Sequence, residues 1–158
     1  MRPQDPPVEL GPTLDFLREL WALDHAMQKR SKKMAKELGV TGPQRLALRL
    51  ISRFPGLPAG RLARLLHLHP STVSGIVKRL ASRGFIARGT DGPDRRRAML
   101  RITPVGLGLR SRPEPTLESA VHQALEQMTD RQIEAALRAI GVIAMSLASS
   151  SPRSPQAP

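Results

Sequence analysis

The sequence predicts a mainly α-helical protein carrying one small β-hairpin. Three observations carry that expectation. Apolar residues recur at helical spacing over long stretches near both ends. Short helices punctuated by glycine and proline fill the middle. A single apolar alternation follows a turn rich in glycine and proline.

The elements follow in order. Residues 1–12, rich in proline, read as a disordered arm. A long helix is expected after Thr13, a good N-cap residue, with Leu17, Leu20, Trp21, Met27, Met34 and Leu38 as its apolar stripe and Gly39 as its stop. Thr41 and Gln44 have capping-box spacing, and Pro43 fits a first turn. The helix that follows carries Leu46, Leu50, Ile51 and Phe54 and ends at Pro55-Gly56. A short helix after Pro58 holds Arg61 to Leu66. The turn His67-Leu68-His69 leads to another helix opening at Pro70, with Val73, Ile76, Val77 and Leu80 on one face. Ser71, Gly75 and Lys78 lie opposite, with Thr72, Ser74 and Arg79 at the edges.

Gly84 ends that helix, and Phe85 to Arg88 reads as a short strand. After the turn at 89–94, Ala98, Leu100 and Ile102 alternate with Arg97, Met99 and Arg101, which gives a second strand with one buried face. Thr103-Pro104 opens a helix, and Pro113-Glu114-Pro115 kinks or breaks it. Residues 116–128 are expected to be helical. Thr129 and Gln132 form a second capping box, opening a last helix with Ile133, Leu137, Ile140, Ile143, Ala144 and Leu147 as its stripe. Residues 149–158 read as a disordered tail.

Composition narrows the function classes. The 158 residues carry a net charge of +12 and no cysteine. That removes disulfides, thiolate nucleophiles and cysteine-bound zinc, and fits a reducing cytoplasm. No apolar run is long enough to span a membrane, and the N-terminus carries no secretory pattern. The charge is confined. Residues 43–112 hold 15 basic and 2 acidic side chains, net +13, between flanks of net +1 and −2. A basic block between nearly neutral flanks is the electrostatic footprint of a nucleic-acid binder.

The two short helices from residue 58 to 83 make a helix-turn-helix, and the hairpin after them makes a wing. A helix fits the major groove, where base edges are distinguishable, provided its outer side chains are short. Ser71, Thr72, Ser74 and Gly75 meet that need, with Lys78 beside them. Glycine within a helix costs about 1 kcal/mol against alanine, and here it would let the backbone approach DNA. A plain surface helix with a tolerated glycine is the alternative.

The stretch "STVSGIVKRLASRGFIARGTDGPDRRRAMLRITPVG", residues 71–106, resembles the MarR family of bacterial transcription regulators. Its Ser-Thr-Val-Ser start matches the family's recognition helix. Asp91, Asp94, Arg95, Arg96, Ile102, Thr103 and Gly106 fall at the spacings of the family's wing motif, with Ile102 in place of the usual leucine. The chain departs from the family pattern at His69, where a Ser or Thr cap is usual, at Pro58 and Gly60, and at the Pro113–Pro115 break.

The resemblance implies a MarR-like domain over 13–148. Its winged helix-turn-helix would occupy about 43–104, and helices 13–38 and 116–148 would form a dimerisation base. It further implies a homodimer that binds double-stranded DNA at a palindromic operator, repression, and relief by a small aromatic or phenolic effector. The long apolar terminal helices support the dimer from the residues themselves. The wing would carry Arg95 into a narrow minor groove. Arg96 would meet a phosphate or brace the hairpin through Asp94 or Asp91, and Arg97 would meet a phosphate or solvent. Arg61, Arg64, Arg79 and Arg83 are phosphate candidates on charge and position. Trp21, Met27 and Phe54 are candidates for an effector pocket.

Other signals are weak. His67 and His69 lack the further ligands a metal site needs. Ser71 and Ser74 have no base partner, and no dinucleotide or phosphate loop appears. The expectation is a non-enzymatic, cytoplasmic and nucleoid-associated regulator with no cofactor, no metal and no membrane partner. An architectural DNA protein without sequence preference and a winged-helix protein-interaction module are the alternatives.

Overall fold

A computed structural model describes residues 10–90, 98–111 and 116–149. Most of the expected arm, most of the expected tail, the tip of the hairpin and the proline-rich break lie outside the described residues, and the last residue of the expected arm, Pro12, is helical instead. Two compact units divide the chain, one ending at Leu117 and one starting at Glu118.

The first unit opens with α1, Pro12–Glu37. The helix starts earlier than expected. Gly11, not Thr13, takes the N-cap position, and Pro12 occupies the first turn, where its fixed φ is already helical and its missing N–H costs nothing. Gly39, at φ 72°, takes the left-handed turn after the helix. The predicted stripe is buried only at its C-terminal end. Met34 and Leu38 are in the core, while Leu17, Met27 and Trp21 stay exposed, Trp21 at 70%.

Helix α2, Gly42–Arg53, opens with the expected capping box. The Thr41 amide donates to Gln44 Oε1 at 3.1 Å. Its expected apolar face needs correction. Ile51 is buried, but Leu46 and Phe54 are exposed, and Ala47, Leu48, Gln44 and Arg45 turn inward. The reason is position: α2 packs on α1, on the two helices after it, on a strand and on α5, Pro104–Arg110, so it buries more than one stripe. Arg45 is buried among these elements and donates from Nη1 to the Leu109 carbonyl at 3.0 Å.

A strand that sequence reading did not anticipate, β1, spans Leu57–Pro58. Two residues are too short to show an alternation. Helices α3, Ala59–Leu66, and α4, Pro70–Ser82, follow. Strands β2, Ile86–Thr90, and β3, Ala98–Ile102, pair antiparallel from Ile86↔Ile102 to Thr90↔Ala98. β1 adds to the other side of β3, with Leu57 opposite Leu100, so the sheet order is β1-β3-β2. The hairpin is therefore two strands of a three-stranded sheet.

Thr103 caps α5, its Oγ1 accepting from the Gly106 amide at 3.1 Å and donating to the Gly84 carbonyl at 2.5 Å. The Thr103 amide donates to the Phe85 carbonyl at 3.1 Å. The start of α5 is thus fastened to the turn that ends α4. The core of this unit gathers Met34, Leu48, Ile51, Leu62, Val73, Leu80 and Leu100. α1, α2, the helix pair and the sheet all contribute to it.

The second unit holds most of α6, Leu117–Leu125, and all of α7, Asp130–Ala148. α6 stops short of the expected Met128. Thr129 and Gln132 cap α7 as expected. None of the α7 side chains is buried within the chain, and Leu137, Ile140 and Leu147 of its stripe are exposed. Among the described residues no helix is long and apolar enough to cross a membrane.

Candidate nucleic-acid interface

Helix α4 presents one apolar and one polar face because Val73, Ile76, Val77 and Leu80 recur at helical spacing. Their burial forces Ser71, Thr72, Ser74, Gly75 and Lys78 outward, and all five are exposed. A methyl group added at Gly75 would meet nothing within 4 Å, so this part of the helix surface is low and open. Arg79 is exposed on the same helix, and Arg61 and Arg64 are exposed on α3. Short polar side chains ringed by cations suit a groove floor flanked by phosphates.

The cations are not equivalent. Arg61 stacks over the Phe54 ring at 6.0 Å. Arg83 sits at the end of α4 with its guanidinium on the Gly39 carbonyl and over the Phe85 ring at 5.1 Å. That ties the last turn of α4 to the junction between α1 and α2. Arg83 differs from the other phosphate candidates in meeting a backbone carbonyl, while its side chain stays exposed.

Two residues take places that sequence reading did not assign to them. Arg88 stands two after buried Ile86, and with Ser74, Val73 and Pro70 it lines a hollow of about 150 Å³ between α4 and the sheet. His69 is the second. It caps α4 with its ring, Nδ1 accepting from the Ser71 amide at 3.3 Å. The expected departure from a Ser or Thr cap is thus met by an imidazole.

Arg95, Arg96 and Arg97 lie outside the described residues. The pairing of Thr90 with Ala98 closes the described part of the hairpin. Of the effector-pocket candidates, Met27 lines a hollow of about 330 Å³ with Ser31, Lys32, Pro43 and Leu117. Trp21 and Phe54 are not among its lining residues. Among the described residues, no group of three or more His, Asp or Glu could hold a metal ion.

A helix pair whose second member shows a small polar face, followed by a sheet hairpin, defines a winged helix-turn-helix protein. A model of the MarR family matches residues 38–97. The chain is 30% identical over 95 residues to the HTH-type transcriptional repressor Rv2887 of Mycobacterium tuberculosis, covering 60% of this chain and 68% of that one. It is 28% identical over 109 residues to the HTH-type transcriptional regulator TtmR of Methylorubrum extorquens, covering 69% of this chain and only 55% of TtmR. The chain belongs to the MarR family.

Solved structures agree on the fold. The S. aureus MepR–DNA complex superposes with a TM-score of 0.68 at 21% identity, over 87% of this chain and 99% of MepR. Rv2887 in complex with salicylic acid superposes at 0.55 with 24% identity, over 86% and 99%.

Proposed function

We propose that this protein is a sequence-specific DNA-binding transcriptional regulator, a repressor acting as a homodimer on a palindromic operator. The observation that carries the reading is the exposed face of α4, where Ser71, Thr72, Ser74 and Gly75 form a low polar strip beside Lys78 and Arg79. Lys78, Arg79, Arg61 and Arg64 serve as phosphate contacts. Arg95, Arg96 and Arg97 serve at the wing, with Arg95 in the minor groove. The confinement of the positive charge to residues 43–112 and the DNA complex of the MepR relative support the same reading.

The dimer is supported by apolar surface that one chain leaves open. The N-terminal half of α1 exposes Leu14, Phe16, Leu17 and Trp21, and α7 exposes a stripe along its length. Helices 13–38 and 116–148 supply these faces to a second copy. An aromatic or phenolic effector is supported by the hollow beside Met27, where Pro43 and Leu117 offer apolar walls and Lys32 a cation. The structure of Rv2887 with salicylic acid points to the same ligand class. The role is regulatory rather than enzymatic, needs no cofactor, and places the protein on nucleoid DNA in the cytoplasm.

Selection of bound duplexes from a random pool at fixed salt tests the reading. A palindromic consensus is expected. Equal affinity for all duplexes identifies an architectural protein instead, and no salt-dependent affinity for any duplex identifies a protein-interaction module.

A further inference from the structure

We propose that His69 fixes the Ser71 hydroxyl as an outward-facing hydrogen-bond acceptor, so that this point of α4 selects a base edge carrying an amino donor. The proposal rests on the reading that α4 enters the major groove.

Nδ1 of His69 lies 3.3 Å from the Ser71 amide nitrogen and 2.7 Å from Ser71 Oγ. A backbone N–H can only donate, so Nδ1 offers a lone pair and the ring proton resides on Nε2. The same lone pair faces Oγ. The serine hydrogen therefore points at the ring, and Oγ has only lone pairs left for anything beyond it. An untethered serine rotates its hydroxyl and reads either kind of base edge. Here the rotation is pinned.

The exposed groups then have fixed polarity. Ser71 Oγ accepts, which suits adenine N6 or cytosine N4 in the major groove. Guanine O6 and N7 and thymine O4 would meet its lone pairs with their own. The remaining His69 N–H donates, which suits a phosphate oxygen. Both residues are exposed at the first turn of α4, so neither group is consumed by the core. A histidine cap thus does what a capping Ser cannot do with its single hydroxyl: one ring nitrogen meets both the helix end and its neighbour's hydroxyl. His69 acts here as a positioning residue, and Ser71 makes the contact.

The test uses the full chain and its selected operator. The base pair whose preference changes in Ser71→Ala is located first. The amino group at that pair is then deleted from the DNA, with 2-aminopurine for adenine or 2-pyrimidinone for cytosine. Wild type should lose about fivefold in affinity, the worth of roughly 1 kcal/mol for one hydrogen bond. Ser71→Ala should be indifferent to the deletion, and His69→Ala should lose clearly less than wild type, because its freed hydroxyl reads either kind of edge. Ser71→Ala keeps the backbone cap, so it reads the contact even where His69→Ala loosens the helix end. The inference is overturned if wild type tolerates the deletion, if it instead discriminates against 7-deazaguanine at that pair, or if His69→Ala retains full sensitivity. Binding of no duplex by wild type overturns the DNA-binding reading itself, a result distinct from DNA binding without amino-group sensitivity.

Discussion

The Phe85 carbonyl occupies the place where a side chain on Gly106 would begin. Gly106 has an ordinary helical position in α5, so its glycine is required by the approach of another segment and not by its own backbone angle. Together with Thr103, it holds the end of α4 and the start of α5 at one spacing. The Thr–x–x–Gly part of the wing motif is therefore architectural.

Gly106→Ala should destabilise the protein even though alanine is the better helix former by about 1 kcal/mol. The collision is with backbone, which cannot rotate away, and overpacking of this kind costs about 1–3 kcal/mol. A net loss of about 1 kcal/mol, and up to about 2, is expected from the shift in urea midpoint. Gly108→Ala, where added carbon meets nothing within 4 Å, should be neutral or stabilising. Equal effects at both positions would remove the argument.

Lys78→Ala and Arg83→Ala should separate two kinds of cation. Lys78 is exposed on the polar face of α4. Its loss should flatten the log–log salt dependence of DNA affinity by about one unit. Arg83 holds the Gly39 carbonyl and the Phe85 ring. Its loss should cost about 1 kcal/mol of stability and leave the slope unchanged. A flattened slope in Arg83→Ala would make it a phosphate contact after all.

Arg95→Ala should weaken binding most on operators with A·T-rich flanks, where the minor groove is narrow and strongly negative. The loss should shrink on G·C-rich flanks. Titration of both operators at one salt concentration reads the difference. Unchanged affinity on every flank would rule out minor-groove reading by this residue.

Dimerisation should be visible by sedimentation of the DNA-free protein at micromolar concentration, at about twice the 17.3 kDa chain mass. Ile140 is 55% exposed in the single chain. Ile140→Asp should therefore leave the helical content intact while shifting the mass toward the monomer. A wild-type monomer would leave the α7 stripe without its proposed cover.

Much of this protein follows from local pattern. The 3.6-residue period of Val73, Ile76, Val77 and Leu80 decides which face of α4 is buried, and so which side chains are free to meet DNA. Both capping boxes, at Thr41–Gln44 and Thr129–Gln132, were legible because each involves residues three apart. The charge block needed only counting. Tertiary structure decided the rest, because those contacts join segments far apart in the chain. α2 buries Ala47 and Leu48 and leaves Leu46 and Phe54 out, because it is packed from several sides at once. The two-residue strand β1 exists only where β3 lies beside it. Arg83 and Lys78 look alike in sequence, but only Arg83 lies beside a carbonyl, that of Gly39, supplied by a distant segment. Periodicity tells a residue which way to face, but what it meets there depends on partners that local sequence does not encode.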